Sequence, residues 1–436
     1  MNKKELLTKK IAERKAKICV VGLGYVGLPL GLEFAEAGFK VYGLDNDQKR
    51  IAYLKKGKSY IDDISDYDLR EILKKRLFVP GSSYGVVGNC DCIIICVPTP
   101  LSKTKEPDIS YIINCFNKLI PKLKKGQLII LESTTYPGTT REILAPKLEE
   151  KGFKIGKDIY LCFSPERIDP GNKVYTFSNI PKVVGGVDRI SSKIAAYLYK
   201  QIIEKIIVVS SADVAETVKL LENTFRAVNI GLANEMELMC HKLGLDIWEV
   251  IEAASTKPYG FMPFYPGPGL GGHCIPVDPI YLSWRAKLSG FEPRLIDIAQ
   301  QVNAYMPDHV VGRIAEILNK FKKPLNNSKI LIVGISYKKD VKDTRESPAL
   351  EIISLLKTAG SRMDYHDPYV EKIIIDDKIL KSKKVNRRNL AKYDLVCIVA
   401  AHTNVDYKLI VKHAKVVFDT RNVLKKFKAR RKVFRL

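Results

Sequence analysis

The segment Gly22-Leu-Gly-Tyr-Val-Gly27 constrains the fold of this chain more than any other stretch. It follows an apolar run at residues 17–21 and leads into a helical pattern that stops at Gly38. A second apolar run, residues 39–45, ends on Asp45. A GxGxxG turn between strand and helix, with an acid after the next strand, is typical of a dinucleotide-binding βαβ unit. The sequence therefore predicts a Rossmann-like domain in the first part of the chain.

The residues of this turn have distinct physical roles. Gly22 makes the tight turn, Gly24 lets the backbone approach a pyrophosphate, and Gly27 lets the helix pack on the strand. The helix N-terminus offers unpaired N–H groups to the phosphates. Asp45 would accept the ribose hydroxyls and repel a 2′-phosphate, so NAD is predicted over NADP. Arg50 lies close enough in sequence to moderate that preference.

Further apolar runs alternate with helical patterns at residues 91–97, 127–131, 159–162 and 182–184. Such alternation predicts a parallel sheet, whose carboxyl-terminal strand ends hold the ligand. Thr99, Thr134 and Glu166 follow three of these runs and are candidate site residues by position. Turn capping is the alternative for the two threonines.

A long helix is predicted from residue 212 to 243. Lys219 and Asn223 are four residues apart and therefore share one helical face. A solvated stripe is the ordinary alternative for such a pair. A helix of this length between two α/β domains favours a spine and a subunit contact, so we expect a homodimer.

The loop from Tyr265 to Asp278 is too rich in glycine and proline for a helix or a central strand. It carries one thiol, Cys274, with the Asp278 carboxylate four residues on. A buried structural cysteine is the alternative. Beside a dinucleotide signature and a Lys/Asn helix, a thiol presented by a rigid loop indicates covalent chemistry next to a nicotinamide.

Strand patterns return at residues 329–334, 362–366, 394–399 and 416–419. They predict a second doubly wound domain, whose first turn lacks the glycine fingerprint and carries Lys338, Lys339 and Arg345 instead. Cationic side chains there suit a diphosphate held differently from NAD. The predicted fold is α/β, with two doubly wound Rossmann-like domains joined by a central helical domain (1–209, 210–308 and 309–436).

The formal net charge of +24 admits two interpretations. Nucleic-acid binding is disfavoured because the basic residues are spread along the chain without a recognised module. A positive field that attracts anionic small molecules is the preferred interpretation. Residues 424–436 hold seven Lys or Arg and no acid, which predicts a solvated tail or docking to an acidic partner or membrane surface.

Other sequence features narrow the class of protein. No window is as apolar as a membrane span, and the first residues lack the apolar core of a signal peptide. Nine irregularly spaced cysteines predict reduced thiols in a cytoplasm. Six scattered histidines give no paired ligand spacing, so no metal is expected.

Taken together, these motifs resemble the UDP-glucose/GDP-mannose dehydrogenase family over nearly the whole chain, and its UDP-N-acetylhexosamine branch in particular. The motifs are 22–29 (GLGYVGLP), 164–171 (SPERIDPG), Lys219-x-x-x-Asn223, 271–278 (GGHCIPVD) and 337–348 (YKKDVKDTRESP). The resemblance implies an NAD domain, a central helical dimerisation domain and a C-terminal UDP-sugar domain.

The resemblance also implies roles for individual residues. Cys274 is expected to be the nucleophile, with Lys219, Asn223 and Asp278 around it and with Glu166 and Thr134 placing water. The implied cofactor contacts are Gly22, Gly24, Tyr25, Val26, Gly27, Asp45, Arg50, Thr99, Thr134 and Arg345, and Arg345 spans both ligands. The implied substrate contacts are Glu166, Arg167, Lys219, Asn223, Tyr265, Gly271, Lys338 and Arg421.

The implied reaction is a four-electron oxidation of a C6 alcohol to a uronic acid by two NAD, through a thiohemiacetal and a thioester on Cys274. Pro170 and Val277 depart from the pattern usual for UDP-glucose and GDP-mannose enzymes. The aromatic loop 256–265 could receive an acetamido methyl, or it could be ordinary core packing. UDP-N-acetylglucosamine or its galacto epimer is expected, with UDP-N-acetylmannosamine or UDP-glucose as alternatives.

Two readings from other classes compete with this one. A two-electron hydroxyacid dehydrogenase shares the fingerprint and the Lys-x-x-x-Asn helix, but it has no use for Cys274 or for a third domain. An NAD-sensing or nucleic-acid-binding protein without catalysis would have no reason to keep the Lys/Asn/Cys/Asp set.

Overall fold

The structure, a computed structural model, describes residues 2–61, 64–102, 104–168, 174–272, 274–427 and 431–436. The chain divides into two compact units. The first comprises Met1–Glu222 and Ile280–Gly290, and the second comprises Asn223–Pro279 and Phe291–Leu436. Among the described helices, none combines the length and apolar character needed to cross a bilayer.

The first unit is a sheet with helices on its faces. Its helices are α1 (Lys3–Ala12), α2 (Gly27–Glu36), α3 (Gln48–Lys55), α4 (Asp66–Lys74), α5 (Ser110–Leu119), α6 (Ala145–Glu150) and α7 (Arg189–Tyr199). Its strands are β1 (Lys17–Val21), β2 (Lys40–Leu44), β3 (Phe78–Gly81), β4 (Cys92–Ile95), β5 (Leu128–Leu131), β6 (Tyr160–Phe163), β7 (Lys182–Gly186) and β8 (Ile206–Val208).

The strand order of this sheet is β3-β2-β1-β4-β5-β6-β7-β8. The strands from β3 to β6 are parallel, and β4, β5 and β6 are buried throughout because helices cover both faces. The carboxyl ends of these strands therefore meet at one edge of the sheet, where the predicted site residues follow them.

The second unit combines long helices with a smaller sheet. Helix α8 (Ala212–Leu243) runs from the first unit into the second, which also holds α9 (Ile247–Ala254) and α11 (Arg294–Lys320). Helix α10 (Asp278–Leu288) lies between α9 and α11 in the chain and belongs to the first unit from Ile280 on. The sheet order is β10-β9-β13-β14-β15, all parallel, and a separate hairpin joins β11 to β12.

The remaining elements of this unit complete the second doubly wound fold. The strands are β9 (Lys329–Val333), β10 (Arg362–His366), β11 (Lys372–Ile375), β12 (Lys378–Lys381), β13 (Leu395–Ile398), β14 (Val417–Asp419) and β15 (Val433–Arg435). The helices are α12 (Pro348–Thr358), α13 (Arg387–Leu390) and α14 (Tyr407–His413). The predicted fold class is confirmed, and the bounds of α8 are those expected from the sequence.

The structure corrects the sequence predictions at several elements. Strand β7 was expected in a parallel sheet, but it runs antiparallel to β6. Strands β3, β8, β11, β12 and β15 were not predicted, because they are short or lie at sheet edges with weak patterns. Helix α11 continues through Pro307 to Lys320.

The basic C-terminal segment also differs from the expected solvated tail. Strand β15 pairs with β14, and Leu436 is buried in the core of the sheet. The indole Nε1 of Trp248 donates to the Leu436 carbonyl at 2.9 Å. Two apolar side chains, Val433 and Leu436, anchor the segment despite its charge.

Candidate active site

The glycine turn after β1 has the three environments that a dinucleotide requires. Gly22 has φ +92°, and a Cβ there would lie 2.4 Å from the Cys96 carbonyl oxygen. A Cβ on Gly27 would lie 1.9 Å from the Gly22 oxygen, so helix and turn touch. A Cβ on Gly24 would meet no atom within 4 Å, which leaves this backbone open to a ligand.

Asp45, after β2, lies beside this turn. Its Oδ2 accepts the Leu23 N–H at 2.9 Å and faces the Arg50 guanidinium at 3.4 Å. The Arg50 guanidinium also lies 5.5 Å from the Tyr60 ring centre. A cavity of about 310 Å³ adjoins them, lined by Gly24, Tyr25, Lys49, Arg50, Tyr53, Tyr60 and Ile61. An open glycine, a carboxylate and a cavity at one strand edge fit the ribose and phosphates of NAD.

The phosphate end of this site is the start of α2. Val26 is the N-cap residue and makes no side-chain capping hydrogen bond. The first N–H groups of the helix therefore have no side-chain cap, as phosphate binding requires.

The segments after β4 and β5 carry the two predicted threonines. Thr99 is held through its carbonyl, which accepts the Tyr281 hydroxyl at 3.1 Å. Thr134 is half-buried between Ser133 and Thr135, which are both buried. The Ser133 N–H donates to the Ile95 carbonyl at 3.1 Å. These contacts fix the backbone of both segments at the edge of the sheet where the glycine turn lies.

Glu216 on α8 fastens the Thr134 segment. Its carboxylate accepts the N–H groups of Gly138 at 2.7 Å and Thr140 at 2.9 Å. It also accepts the Thr140 hydroxyl at 2.7 Å. Burial raises the pKa of Glu216 to about 7, against these hydrogen bonds that lower it. The loop after β5 is thus tied to the helix that carries Lys219.

Lys219 and the acidic segment after β6 complete the first unit's share of the candidate residues. Lys219 is 9% exposed, so the solvated stripe considered from the sequence is not its environment. Glu166 is also buried, and its Oε1 accepts the N–H groups of Arg167 and Ile168, both at 2.7 Å. The Arg167 guanidinium donates to Glu222 at 2.6 Å, which anchors this segment to α8.

In the second unit, the glycines of the thiol loop are required by close packing. A Cβ on Gly271 would lie 2.5 Å from the Tyr337 Cβ, and one on Gly267 would lie 2.5 Å from Arg421. The Gly272 N–H donates to the Arg345 carbonyl at 3.0 Å. The loop is therefore held against the segment that carries the predicted sugar-nucleotide contacts.

Cys274, Asp278 and Asn223 come together at the end of this loop. The Cys274 carbonyl accepts the N–H groups of Val277 at 3.1 Å and Asp278 at 2.8 Å, which starts α10. The Asn223 amide donates to the Asp278 Oδ2 at 2.6 Å. Cys274 is partly exposed, whereas seven of the nine free cysteines are buried. A partly exposed thiol in the same turn as a carboxylate that an amide holds in place is suited to covalent catalysis.

The cationic residues of the C-terminal part have different settings. Arg345 is half exposed and makes a bidentate pair with Asp343, with its shortest N–O distance at 2.6 Å. Lys338 is partly exposed. The Arg421 Nε donates to the Val399 carbonyl at 2.8 Å, and burial lowers the pKa of Arg421 to about 10.

The loop before the thiol keeps several apolar side chains in solvent. Tyr259, Phe261 and Met262 are 73%, 42% and 63% exposed, so core packing is not their role. Tyr265 is half exposed and stacks on Trp248 with ring centres 6.1 Å apart. Phe264 packs against Phe225 at 5.7 Å. This segment therefore offers exposed apolar surface in front of the thiol loop.

Sequence reasoning missed three polar residues that hold the candidate site together. Glu132 and Lys182 form an ion pair at 3.1 Å, and Glu216 clamps the Thr134 loop. A lysine opening the apolar run Lys182-Val-Val184 was the available signal for a buried charge. Its partner is fifty residues away in the chain, and no periodicity could identify it.

The fold and this turn define a nicotinamide-dependent dehydrogenase. Three models of the UDP-glucose/GDP-mannose dehydrogenase family match the chain: the NAD binding domain at residues 16–203, the central domain at 213–305 and the UDP binding domain at 331–426. The chain belongs to the UDP-glucose/GDP-mannose dehydrogenase family. The resemblance inferred from the motifs and the predicted cofactor NAD are thereby confirmed.

Individual relatives are similar over most of their length. A UDP-N-acetyl-D-mannosamine dehydrogenase of Methanococcus maripaludis is 34% identical over 429 residues, covering 94% of this chain and 93% of its own. A UDP-N-acetyl-D-glucosamine 6-dehydrogenase of Pseudomonas aeruginosa is 36% identical over 356 residues, covering 81% of this chain and 83% of its own. The solved UDP-D-ManNAc dehydrogenase of Pyrococcus horikoshii superposes with a TM-score of 0.87 at 32% identity, covering 96% and 98%.

Proposed function

We propose that this protein oxidises the C6 hydroxymethyl of a UDP-N-acetylhexosamine to the uronic acid, in two NAD-dependent steps through a covalent bond to Cys274. The observation that carries the proposal is the group formed by Cys274, Asp278 and Asn223 at the end of the glycine loop. A two-electron dehydrogenase needs no such thiol. Family membership supplies the NAD and UDP-sugar context.

NAD, when bound by the glycine turn, would supply the hydride acceptor for each oxidation at C6. Asp278 and Lys219 hold the water that receives the hydroxyl proton of the alcohol. The thiolate of Cys274 adds to the aldehyde carbon, so the aldehyde stays bound until its second oxidation. Lys219 and Asn223 stabilise the oxyanions that form, an effect worth roughly 10²–10³ in rate for one donor.

Hydrolysis of the thioester completes the proposed cycle. Thr134 and Glu166 place the water, and Glu166 takes its proton as the water oxygen bonds to the acyl carbon. The carbon–sulfur bond breaks with its electron pair on the Cys274 sulfur. In the second unit, Lys338, Arg421, Tyr265 and Gly271 contact the UDP-sugar, and Arg345 contacts both ligands.

The order in which the two sugar epimers are proposed rests on the sequence motif and on the names of the relatives. The motif at residues 164–171 favours an acetamido sugar without distinguishing its C2 epimers, and the Pseudomonas aeruginosa relative is named for the gluco form. Mannosamine-named relatives match this chain over nearly its whole length, in sequence and in fold. We therefore put UDP-N-acetylmannosamine first and UDP-N-acetylglucosamine second.

A panel of UDP- and GDP-sugars with NAD, followed by NADH absorbance, tests the proposal. Both acetamido sugars should exceed UDP-glucose in kcat/KM, because a buried amide partner discriminates more strongly than an apolar contact. A kcat/KM for UDP-glucose equal to that of every acetamido sugar would place the chain in another branch. Turnover of the C2 epimers then decides between manno and gluco.

Cys274→Ala tests the covalent route with limiting sugar. Wild type should form two NADH per sugar, whereas the variant should form no uronate and still bind NAD. Cys240→Ala, at a buried thiol, is the matched control and should retain the wild-type ratio. One NADH per sugar in wild type would indicate the two-electron alternative.

We also propose a homodimer that forms through α8. Phe225, Leu232 and Met239 are spaced by seven residues and are 46%, 57% and 45% exposed, so they form one apolar stripe on this helix. A stripe of this spacing suits helix pairing. Leu232→Lys should shift the mass measured by light scattering from dimer to monomer, and an unchanged mass would exclude this surface.

The organisation and the setting of the enzyme follow from the same proposal. We propose the three domains expected from the sequence, with NAD bound by 1–209, dimerisation and the thiol within 210–308, and the UDP-sugar bound by 309–436. The nine free thiols suit a reducing cytoplasm, where nucleotide sugars would be oxidised for surface polysaccharides.

A further inference from the structure

A buried charged cluster lies at the edge of the first sheet where the NAD turn is found. Glu132 directly follows β5, and Glu166 follows β6. Lys182 is the first residue of β7, which runs antiparallel to β6. Phe163, the last residue of β6, pairs with Gly185, so the start of β7 extends past the end of β6 along the segment that carries Glu166. This reversal brings a lysine between two glutamates.

The geometry of the cluster is that of a bridging ammonium. The Lys182 Nζ lies 3.1 Å from the Glu132 Oε1 and 3.4 Å from the Glu166 Oε2. The three side chains are 5%, 0% and 8% exposed. The ammonium also lies 5.1 Å from the ring centre of Tyr199 and 5.8 Å from that of Phe177. Such an enclosed charge is costly unless it is paired, so the two carboxylates stabilise it.

Two carboxylates and one ammonium leave one negative charge in excess. Burial raises the pKa of Glu132. Burial also disfavours the charged form of Lys182, but the two glutamates outweigh this effect and raise its pKa. Glu132 Oε1 accepts the Tyr199 hydroxyl, whereas its Oε2 has no hydrogen-bond partner among the described residues. Glu132 is therefore the member that can hold the extra proton.

Glu166 has the opposite environment. Its Oε1 accepts two backbone N–H groups at 2.7 Å, and its Oε2 faces Lys182. Every one of these donors favours a charged carboxylate. Lys182 and the backbone thus hold both oxygens of Glu166, which fixes the orientation of this carboxylate.

We propose that Lys182, with Glu132 and Tyr199 behind it, is a positioning residue that keeps Glu166 ionised and oriented to accept the proton of the hydrolytic water. This inference rests on the proposed function, because it deepens the role of Glu166 in thioester hydrolysis. Lys182 need not touch the substrate, and its effect is confined to the acid-forming half of the reaction.

Lys182→Met tests the inference, because it keeps the length of the side chain and removes the charge. Uronate formation should slow by about tenfold to a hundredfold, within the range of general-base effects, with KM nearly unchanged. The acid limb of the kcat profile should move to higher pH, and acyl-enzyme on Cys274 should accumulate in intact-protein mass spectra. Lys182→Arg should restore part of the rate.

Ser192→Ala is the matched control at the other end of β7. Ser192 is buried, and its hydroxyl accepts the Gly186 N–H at 2.8 Å. The Ser192→Ala variant should have a lower free energy of unfolding and an unchanged pH profile of kcat. Tyr199→Phe, which removes one hydroxyl from behind Lys182, should move the acid limb in the same direction by less, and it serves if Lys182→Met does not fold.

A Lys182→Met enzyme that keeps the wild-type pH profile and accumulates no acyl-enzyme would overturn the inference. If Lys182→Met does not fold, the same result in Tyr199→Phe would overturn it. Failure of wild type to oxidise any UDP-sugar would overturn the proposed function instead. In that case infrared spectra still test the ionisation. Besides any band from Glu132, which wild type shares, a second protonated carboxyl band should appear at neutral pH in Lys182→Met and disappear in Lys182→Met/Glu166→Gln, and the absence of this second band would refute the effect of Lys182.

Discussion

In both Rossmann-like sheets, a glycine directly follows the first strand, and its N–H donates to the carbonyl of the residue that ends the second strand. Gly22 donates to the Leu44 carbonyl and Gly334 to the His366 carbonyl, both at 2.8 Å. The φ angles are +92° and +87°. A Cβ would lie 2.4 Å from a carbonyl oxygen in the first turn and 2.5 Å from one in the second. The two turns therefore share the backbone geometry that makes glycine necessary.

An aspartate follows the second strand in each sheet, with a different environment. Asp45 accepts the Leu23 N–H and faces Arg50, which lines the cavity. Asp367 accepts the Ile335 N–H at 2.7 Å but has no exposed side-chain surface. His402 closes this second site, since its Nε2 lies 3.0 Å from the Asp367 Oδ2.

The hydrogen bonds around His402 fix its role. Its Nδ1 accepts the Asp340 N–H at 2.9 Å, so the other ring nitrogen carries the proton and donates to Asp367. An acid at the same fold position is thus 10% exposed beside an arginine that lines a cavity in one sheet, and fully enclosed beside a histidine in the other. The position within the fold does not set the function; the groups that surround the carboxylate do.

The largest effect is expected from Asp367→Asn. The substitution leaves His402 and four backbone N–H groups without a charged acceptor, so the free energy of unfolding of the second unit should fall by about 3 kcal/mol. Denaturant unfolding with separate probes for the two units measures this change. Asp364→Asn, on the more exposed part of β10, is the control and should cost much less.

This stability should also depend on pH. Burial opposes ionisation of Asp367, but the His402 hydrogen bond and the backbone N–H groups outweigh it and hold its pKa below the usual value. A carboxylate with a lowered pKa stabilises the fold above its unfolded pKa and loses this effect as the pH falls through the folded value. The difference in unfolding free energy between wild type and Asp367→Asn should decrease as the pH falls. A difference that stays constant would contradict a lowered pKa of Asp367.

The next effect concerns Glu216 in the first unit. Its pKa is raised to about 7, so the folded state keeps a proton that the unfolded chain releases at lower pH. The free energy of unfolding of wild type should therefore fall by about 3 kcal/mol, relative to that of Glu216→Gln, as the pH rises from 5 to 8. Unfolding at both pH values measures the change, with exposed Glu149→Gln as control. If the unfolding free energies of Glu216→Gln and wild type changed equally between these pH values, Glu216 would not titrate in this range.

Local patterns predicted the first sheet and the long helix. The fingerprint from Gly22 to Gly27 and the bounds of α8 depend on neighbours in sequence, and Cys274 with Asp278 lies within one loop. The reversal at β7 could not be predicted, because a short apolar run has the same pattern in either direction. The contacts of Lys182 with Glu132 and of His402 with Asp367 join distant segments, which one sequence without pairing information does not specify.

A smaller effect is expected from Gly24→Ala. A methyl group at Gly24 meets no atom of the chain, so the unfolding free energy should change little. The same methyl would occupy the space through which a pyrophosphate approaches, and NAD affinity should fall about tenfold or more. Thermal unfolding and NAD titration measure the two effects. A loss of stability without a loss of affinity would mean that the turn is structural only.

The comparison of Asp45 with Asp367 is tested most directly by titrating NAD into wild type, Asp45→Asn and Asp367→Asn under conditions where all three are folded. Asp45→Asn should raise the Kd for NAD by about tenfold, equivalent to one lost charged hydrogen bond. It should also reduce the difference between the Kd values for NAD and NADP. Asp367→Asn should leave the Kd within about twofold of wild type. A Kd that rises in Asp367→Asn and stays unchanged in Asp45→Asn would contradict the assignment of the two sheets.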